Sequence, residues 1–518
     1  MVSKEPGDRG VTAPTTPLRP DQLRWLIAGL IVGLFLASTE QSVVATALPT
    51  MAGELGGANR LAWVVSAYLL SSTVVTPLYG KMSDLFGRRL VYQTGIGLFL
   101  VGSALCGAAQ TMNQLVAARA FQGLGGGGLM SLAFVILGDV VSPRERGRYI
   151  GVFTAVFTFS AVTGPLWGGL LVDTVGWRWV FWSVVPLSVV ALLVTNRGLR
   201  LPFATRSAPI DWAGIVLLVM ASTALILVPI WGGETFAWGS APILVTGLIG
   251  VTASVGFVVQ EQYAVEPVVP LRLFRTRTVA VVFGMGFCLM ASLIAVSTFM
   301  PLFLQVAKGV SATRSGLLLT PQSVGISLSS TIAGILVSRS GRYKWTLLTG
   351  PLAAVAALAV LARMEPGIST VGLAPVLFLL GLGLGLTFPN MTLSVQNASP
   401  VEDLGIATSV ANFFRSMGGA FGSAIAGAVL TARLSDSLGE RLGPARLEEL
   451  GGAEGLIRSP KVVHDLAPDL KTAAIDSVTD AVTWVITLSI PVMVVVFLLA
   501  LFVVETPLRT SSTIGGSD

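Results

Sequence analysis

The chain has 518 residues, of which 53% are hydrophobic and only 12% are charged, with a formal net charge of +6. A soluble domain carries roughly 25% charged residues, so the composition excludes an ordinary water-soluble protein and predicts a membrane protein. The basic residues are scattered through short loops, a distribution that does not indicate nucleic-acid binding.

Cysteine and histidine are scarce, which limits the chemistry open to this chain. Cys106 and Cys288 lie inside apolar runs, so no disulfide framework is indicated, and His464 alone cannot form a bis-histidine metal or haem centre. No GxxxxGK[ST] phosphate loop occurs. The first 24 residues lack the apolar core of a signal peptide. We therefore predict no metal, no cofactor and no ATP-driven motor.

Apolar runs long enough to cross a membrane follow one another along the chain. Crossing a hydrocarbon core of about 30 Å takes roughly 20 residues of α-helix. We therefore predict an all-α integral membrane protein with about fourteen membrane-spanning helices. These lie at 25–48, 62–80, 90–109, 115–141, 148–172, 179–196, 211–231, 241–260, 278–304, 315–337, 345–363, 371–396, 404–432 and 479–504.

Positive charge is distributed unequally between alternate loops. If the N-terminus is cytoplasmic, most of the Lys and Arg residues of the short loops fall on the cytoplasmic side. Cytoplasmic loops of membrane proteins carry such an excess. We therefore predict that both termini lie in the cytoplasm and that the long loop at 433–478, partly helical in character, lies outside.

One charged loop occurs twice in the chain. The stretch GKMSDLFGRR at 80–89 has a counterpart in GILVSRSGRYK at 334–344, with Gly341 and Arg342 at the positions of Gly87 and Arg88. A charged loop that recurs in two apolar halves indicates an internally duplicated transporter.

The spacing of the two loops also predicts the domain organisation. They follow the second and tenth spans, so two additional helices separate two halves of six helices. The predicted units are a cytoplasmic tail (1–24), a six-helix bundle (25–196), two inserted helices with linkers (197–277), a second six-helix bundle (278–504) and a tail (505–518).

Five stretches, in order, resemble the major facilitator superfamily. The loop at 80–89 is similar to its signature loop, and TEQSVVATALP, RAFQGLGGGG, GPLWGG and WRWVFW, which begin at residues 39, 119, 164 and 177, agree in order and spacing. With fourteen spans, the chain resembles the 14-span drug:proton antiporters of the EmrB/QacA type from about residue 25 to 504. The resemblance implies a major facilitator fold in the cell (inner) membrane and proton-coupled efflux of hydrophobic, often cationic compounds by alternating access.

Glu40 and Arg119 are the candidates for proton coupling. Glu40 lies about 22 Å along the first span at ~1.5 Å per residue, a depth at which a carboxyl group must be paired or protonated. The family usually has Asp at this position. Arg119 lies at a similar depth on the fourth span, and the resemblance implies that it faces the cavity and tunes the acid. A static ion pair, and an arginine held by backbone carbonyls, remain alternatives.

The repeated loop is the candidate gate. The resemblance implies that Asp84, beside Arg88 and between Gly80 and Gly87, closes the cytoplasmic side against the start of the thirteenth span near Gly405. A carboxylate suits the positive end of that helix dipole. A topology anchor is the alternative. We expect Asp139 and Glu145, after the fourth span, to be boundary charges.

Further candidates lie within the spans. Arg415, near the midplane of the thirteenth span, is expected to line the cavity or to act in gating, because a charged residue there must avoid lipid. A second set consists of helix-packing residues, which share one face of the fourth span or form the kinked, smooth fifth span. They are Gln122, Gly123, Gly164, Pro165, Gly168 and Gly169.

The substrate pocket is predicted at the midplane between the halves. Promiscuous sites are large and apolar with few polar groups. The candidate contacts are Gln305, Asn390, Gln396 and Asn412. The expected partners are small hydrophobic molecules, protons and the lipid bilayer, with a monomeric protein and the proton gradient as the energy source.

Two other functions stay open. The same scaffold could export a dedicated endogenous metabolite or lipid, which substrate competition would distinguish. A membrane-embedded enzyme or sensor is disfavoured by the scarcity of His and Cys and by the lack of a nucleophile–base constellation.

Overall fold

A computed structural model describes residues 20–55, 61–199, 209–232, 236–400, 403–442, 463 and 467–508. In these ranges the regular secondary structure is helical, apart from one isolated β-bridge between Gly232 and Phe236. Most of the two predicted tails, and residues 443–462 and 464–466 of the predicted outer loop, lie outside the described residues. In lipid, a helix satisfies every backbone polar group within the segment, which is why long apolar runs adopt it.

The helices before the second half are α1 (Pro20–Leu55), α2 (Leu61–Phe86), α3 (Arg88–Ala108), α4 (Met112–Val140), α5 (Pro143–Thr174), α6 (Arg178–Trp182), α7 (Val184–Gly198), α8 (Trp212–Trp231), α9 (Ala241–Tyr263) and α10 (Arg272–Arg275). They are followed by α11 (Arg277–Lys308), α12 (Ala312–Leu318), α13 (Thr320–Ser340), α14 (Lys344–Leu361), α15 (Thr370–Ala398), α16 (Leu404–Leu442) and α17 (Pro468–Leu501).

The helices form two bundles with separate apolar cores. Helices α1–α7 enclose two clusters drawn from residues 26–199, whereas a third cluster extends from Leu218 to Leu508 and centres on α11 and α13–α17. Helices α8 and α9 pack against each other, and α8 also contacts α2 and α16, one helix from each bundle. The domain boundaries given above remain predictions.

Twelve helices in the described part of the chain are long and apolar enough to cross a membrane. The predicted span 62–80 coincides with α2, and the predicted span 315–337 covers the end of α12 and most of α13, with Leu319 between them. Helices α2 and α13, which are rich in Ser and Thr, fall outside that group. The total of fourteen spans and the cytoplasmic termini therefore remain predictions.

Two predicted boundaries differ from the structure. The loop predicted at 433–478 is helical at both ends, because α16 continues to Leu442 and α17 begins at Pro468. The charged residues in these extensions raise their polarity without preventing a helix from continuing into water. The sixth span is divided by Ser183 into α6 and α7.

Both copies of the repeated loop turn on a glycine in the left-handed region. Gly87 separates α2 from α3 with φ 88°, and Gly341 ends α13 with φ 72°. Glycine adopts this conformation without the steric cost that a β-carbon imposes. Both loops therefore use a glycine with positive φ, whereas ψ differs, at 145° for Gly87 and 2° for Gly341.

Candidate functional site

The structure brings Glu40 of α1 and Arg119 of α4 into contact. Both are 1% exposed, and Nη1 of Arg119 donates to Oε1 of Glu40. Nη1 of Arg119 also lies 2.7 Å from Oε1 of Gln122, and its Nε donates to the Val64 carbonyl oxygen at 2.9 Å. The arginine thus has a carboxylate, an amide and a backbone carbonyl as partners. The ion pair with Glu40 and the hydrogen bond to a backbone carbonyl, on which the two alternative interpretations rest, are therefore both present.

The groups around this pair hold the arginine and leave one carboxyl oxygen unbonded. The Arg119 guanidinium lies 4.4 Å from the centroid of the Tyr68 ring, and Gln122 is itself anchored by a 2.6 Å hydrogen bond from Nε2 to Oγ of Ser103. Among the described residues, Oε2 of Glu40 has no hydrogen-bond partner. The arrangement can therefore accept a proton at Oε2 while Arg119 keeps its other contacts.

A second buried ion cluster lies at the opposite end of the first bundle. Arg88 pairs with Asp84 through Nη1, and its Nε donates to Oδ2 of Asp139 at 2.6 Å. Nη1 of Arg88 also lies 2.5 Å from Oγ of Ser83. One guanidinium therefore links the ends of α2, α3 and α4.

This cluster lies against the second bundle. An added β-carbon at Gly405 would lie 2.5 Å from Oδ1 of Asp84 and 2.8 Å from Nη1 of Arg88. A β-carbon on Gly80 would lie 2.6 Å from Oγ of Ser409. The structure thus places Asp84, Arg88 and Gly80 against the start of α16, and we call the end of the molecule formed by these residues the gate face.

The prediction that Asp139 is a boundary charge is wrong. Its side chain is buried and is the partner of Arg88, because the last turn of α4 packs beside α3 and brings the carboxylate under the guanidinium. Glu145, in the first turn of α5, is exposed as expected of a boundary charge. The sequence offered one signal for Asp139, an acid inside an otherwise apolar helix end.

Further contacts join the two bundles at the gate face. Oγ of Ser131 on α4 and Oγ of Ser409 on α16 are 2.7 Å apart. Nε2 of Gln396 donates to the Phe134 carbonyl oxygen at 3.0 Å. Nη1 of Arg146, a residue that is 2% exposed, donates to Oε1 of Gln396 at 3.4 Å, while its Nε and Nη2 donate to the Val141 and Gly138 carbonyl oxygens of its own bundle. Sequence reasoning missed Arg146, since its charge type and loop position fitted a topology signal.

The segment after α9 carries two ion pairs that reach both bundles. Nζ of Lys81 on α2 lies 2.7 Å from Oε2 of Glu266. Arg272 donates to both carboxylate oxygens of Asp403, each at 2.8 Å. The linker is therefore bonded to α2 on one side and to the start of α16 on the other. Neither pair was predicted, because the residues are 185 and 131 positions apart.

The glycines of the GPLWGG motif differ in what they contact. Gly164 lies directly against Ser42 of α1, and an added β-carbon on Gly168 would lie 2.8 Å from the Val43 carbonyl oxygen. An added β-carbon on Gly169 would meet nothing within 4 Å. Pro165 lies inside α5. Gly123 of α4 approaches the Tyr68 backbone in the same close manner. Close helix contact at GPLWGG therefore involves Gly164 and Gly168, whereas Gly169 takes no part in it.

The four predicted pocket residues are not brought together. Gln396 is buried in the gate-face contacts, and Gln305 donates to Oγ of Ser315 near the far end of α11. Asn390 is buried and donates to the Leu386 carbonyl oxygen at 2.9 Å. Asn412 lies on α16 one turn before Arg415. The position of each residue along its helix sets its depth in the membrane, whereas the rotation of each helix about its axis determines which side chains come into contact.

Two helical bundles built from long apolar helices, with buried ion pairs in the first bundle, define a polytopic membrane transporter. The chain belongs to the Major Facilitator Superfamily, whose family model matches residues 30–423. The predicted family, the major facilitator fold and the multi-pass membrane location are therefore confirmed. The protein is a transporter and not an enzyme.

Relatives and a solved structure agree with this assignment. The chain is 37% identical over 419 residues to the multidrug transporter protein MdtP of Bacillus subtilis (strain 168), covering 81% of this chain and 77% of the relative. It is 31% identical over 504 residues to multidrug resistance protein 3 of the same organism, covering 96% and 98%. The crystal structure of the human organic anion transporter MFSD10 (TETRAN) superposes with a TM-score of 0.60 and 14% identity, over 92% of this chain and 100% of that chain. At that identity the likeness concerns the fold alone.

Proposed function

We propose that this transporter is a proton-coupled antiporter that exports hydrophobic compounds by alternating access, with Glu40 as the proton carrier. The observation that carries the proposal is the Glu40 carboxyl group, which is 1% exposed and bonded through one oxygen to Arg119, while its other oxygen has no hydrogen-bond partner among the described residues. A carboxyl group so far from water is stable when it is paired or when it is neutral. It therefore has two states that differ by one proton.

Protonation of Glu40 weakens one specific contact between helices. A proton on Oε2 removes the charge that Arg119 attracts, while the bonds of Arg119 to Val64 and Gln122 keep the guanidinium in place. The α1–α4 contact at this site then loses its ionic component. Glu40 thereby couples proton occupancy to how firmly α1 is held against α4.

Helix α4 links the proton site to the gate face. Arg119 and Asp139 are 20 residues apart on this one helix, about 30 Å at ~1.5 Å per residue. A shift of α4 at Arg119 is therefore transmitted along a rigid rod to the Arg88–Asp139 pair. In the proposed cycle the gate face is cytoplasmic and is closed in the present conformation, and separation of the gate-face contacts admits substrate from the cytoplasm.

The test compares Glu40→Gln with wild type in proteoliposomes under an imposed proton gradient. The probes are the neutral dye N-phenyl-1-naphthylamine and the cation ethidium, and the control is Asp21→Asn, an exposed acid on the same helix. We expect wild type and Asp21→Asn to move dye in a gradient-dependent way, and Glu40→Gln to bind dye without gradient-driven transport.

Two results would contradict the proposal in different ways. Gradient-driven transport by Glu40→Gln at the wild-type rate would remove Glu40 as the proton carrier. Transport of neither dye by wild type would favour a dedicated metabolite or lipid exporter on the same scaffold.

A further inference from the structure

The middle of α16 carries a basic side chain that no described carboxylate neutralises. Arg415 is 7% exposed. Its Nη1 donates to Oγ1 of Thr392 at 3.2 Å, and its guanidinium lies 4.4 Å from the centroid of the Phe388 ring. These are its polar contacts within the described part of the chain. A guanidinium has five N–H donors, so most of its donors have no protein acceptor there.

The contrast with Arg119 shows that this fold can neutralise a buried arginine. Arg119 has a carboxylate, an amide oxygen and a carbonyl oxygen as acceptors. Within the described part of the chain, the polar contacts of Arg415 are one hydroxyl group, which accepts a hydrogen bond from it, and the face of one aromatic ring. An uncompensated charge within a membrane protein is costly, and such residues face the interior or a water-filled cavity. The positive charge at Arg415 is therefore available to a group that comes from outside the chain.

An unsatisfied donor lies one helical turn away. Asn412 precedes Arg415 by three residues, a spacing that places the two side chains on neighbouring parts of one helix surface. Nδ2 of Asn412 is buried and has no hydrogen-bond partner among the described residues. Two adjacent side chains thus present donors without acceptors, which is the complement of an electronegative ligand group.

The same part of α16 faces the space between the bundles. Ser409, one turn before Asn412, is bonded to Ser131 of α4 in the other bundle. Ser416, one turn after Asn412, is exposed in the middle of a long apolar helix. The contact between the bundles therefore ends near Asn412, and beyond it this face of α16 is accessible.

We propose that Arg415 and Asn412 form a binding site for the anionic group of an amphiphilic substrate, a carboxylate or sulfonate attached to an apolar skeleton. This inference rests on the proposed function and names the substrate class. Local charge balance supports it: Glu40 pairs with Arg119, and no described carboxylate pairs with Arg415, so the bundle interior around Arg415 carries a net positive charge. Such an interior favours organic anions over the cationic compounds expected from the resemblance. The ring of Phe388, which already contacts the guanidinium, offers an apolar surface beside the anion.

The experiment uses two dyes that share a skeleton and differ in one anionic group. They are 8-anilinonaphthalene-1-sulfonate and neutral N-phenyl-1-naphthylamine, and purified full-length protein in liposomes is the transport system. Arg415→Gln removes the charge, Arg415→Lys keeps it, and Asn412→Leu removes the second donor. The matched control is Arg433→Gln, an exposed arginine on the same helix.

We expect Arg415→Gln to raise the KM for the sulfonate dye about tenfold or more, the effect of one lost charge-assisted bond, with the neutral dye changed less than about twofold. Arg415→Lys should restore part of the loss, Asn412→Leu should show a smaller selective loss, and Arg433→Gln should match wild type. If Arg415→Gln fails to fold, the inference is tested by comparing the KM for the sulfonate dye with that for the neutral dye in Asn412→Leu and Arg415→Lys.

Three results overturn the inference. An equal loss for both dyes in Arg415→Gln and Asn412→Leu would assign these residues to helix packing or gating. Transport of the neutral dye and ethidium but not of the sulfonate by wild type would refute the anion site and leave the proposed efflux function intact. If wild type transports none of the dyes, the efflux function fails, and equilibrium binding of the sulfonate to purified protein decides the site: equal binding by wild type and Arg415→Gln would refute it.

Discussion

Nε of Arg88 lies 2.6 Å from Oδ2 of Asp139, and the same guanidinium pairs with Asp84, so three helices of the first bundle meet at one buried cation. The cluster holds two acids for one base. Gly405 of the second bundle packs directly against the cluster, because it has no side chain that would collide with Asp84 or Arg88. The gate face therefore depends on a charge cluster assembled within one bundle and covered by the other.

The Asp139→Asn variant is expected to lose stability and transport. Asp84 still neutralises Arg88 in this variant, so the loss is that of one charge-assisted hydrogen bond to a buried guanidinium, which costs about 1.5–3 kcal/mol. Thermal unfolding in detergent and N-phenyl-1-naphthylamine efflux are the measurements. Glu145→Gln, an exposed acid at the same face, is the control and should match wild type. Equal stability of Asp139→Asn and Glu145→Gln would show that the pair contributes little.

The Gly80→Ala variant is expected to open the gate face. Its β-carbon would lie 2.6 Å from Oγ and 2.7 Å from Cβ of Ser409, so α2 and α16 must separate. Maleimide labelling of Ser131→Cys, in a background without Cys106 and Cys288, should therefore rise. Ser409→Gly should restore part of the closure. Unchanged labelling in Gly80→Ala would mean that the helices adjust without opening.

The GPLWGG motif predicts opposite outcomes for neighbouring glycines. In Gly168→Ala the new methyl group collides with the α1 backbone, and overpacking of this kind costs typically about 1–3 kcal/mol. In Gly169→Ala the methyl group meets open space, and stability should stay constant or rise by up to ~1 kcal/mol, because alanine favours helix. The measurement is the melting temperature of each of the two variants in a thermal unfolding experiment. Equal melting temperatures would contradict the helix contact.

Acidification should weaken the end of α1 remote from the gate face. Glu54 accepts hydrogen bonds from Nε1 of Trp177 and Nη1 of Arg178, each at 2.9 Å, which lower the pKa of Glu54 from its ordinary value of 4.5. A carboxyl group with a lowered pKa contributes stability above its unfolded-state pKa and loses it as pH falls through the folded-state pKa. Glu54→Gln should therefore be less stable than wild type near neutral pH, with the difference vanishing below the folded-state pKa. A pH-independent difference in melting temperature would refute this.

Depth in the membrane could be deduced from the sequence for several site residues. Counting residues along apolar spans put Glu40 and Arg119 at matching levels, and the two side chains are in contact. The charged loop and its repeat likewise indicated glycine turns, and Gly87 and Gly341 both have positive φ. These features follow from the helix rise and from local backbone sterics, which act over a few residues.

Contacts that depend on helix rotation could not be deduced in this way. Asp139 meets Arg88, and Gln396 joins the gate-face contacts instead of a midplane pocket, because each helix turns to bury its surface against several neighbours at once.

Hydropathy and span length, which are local properties, were enough to identify an all-helical membrane protein, and the repeated loop predicts two related halves. Which charges are neutralised depends on the packing of the helices. Glu40 neutralises Arg119, whereas Arg415, which is also buried, has a hydroxyl group and an aromatic ring as partners in the described part of the chain. The physical reason is that neutralisation requires two side chains on different helices to point at each other, and the packing of the whole bundle sets that direction.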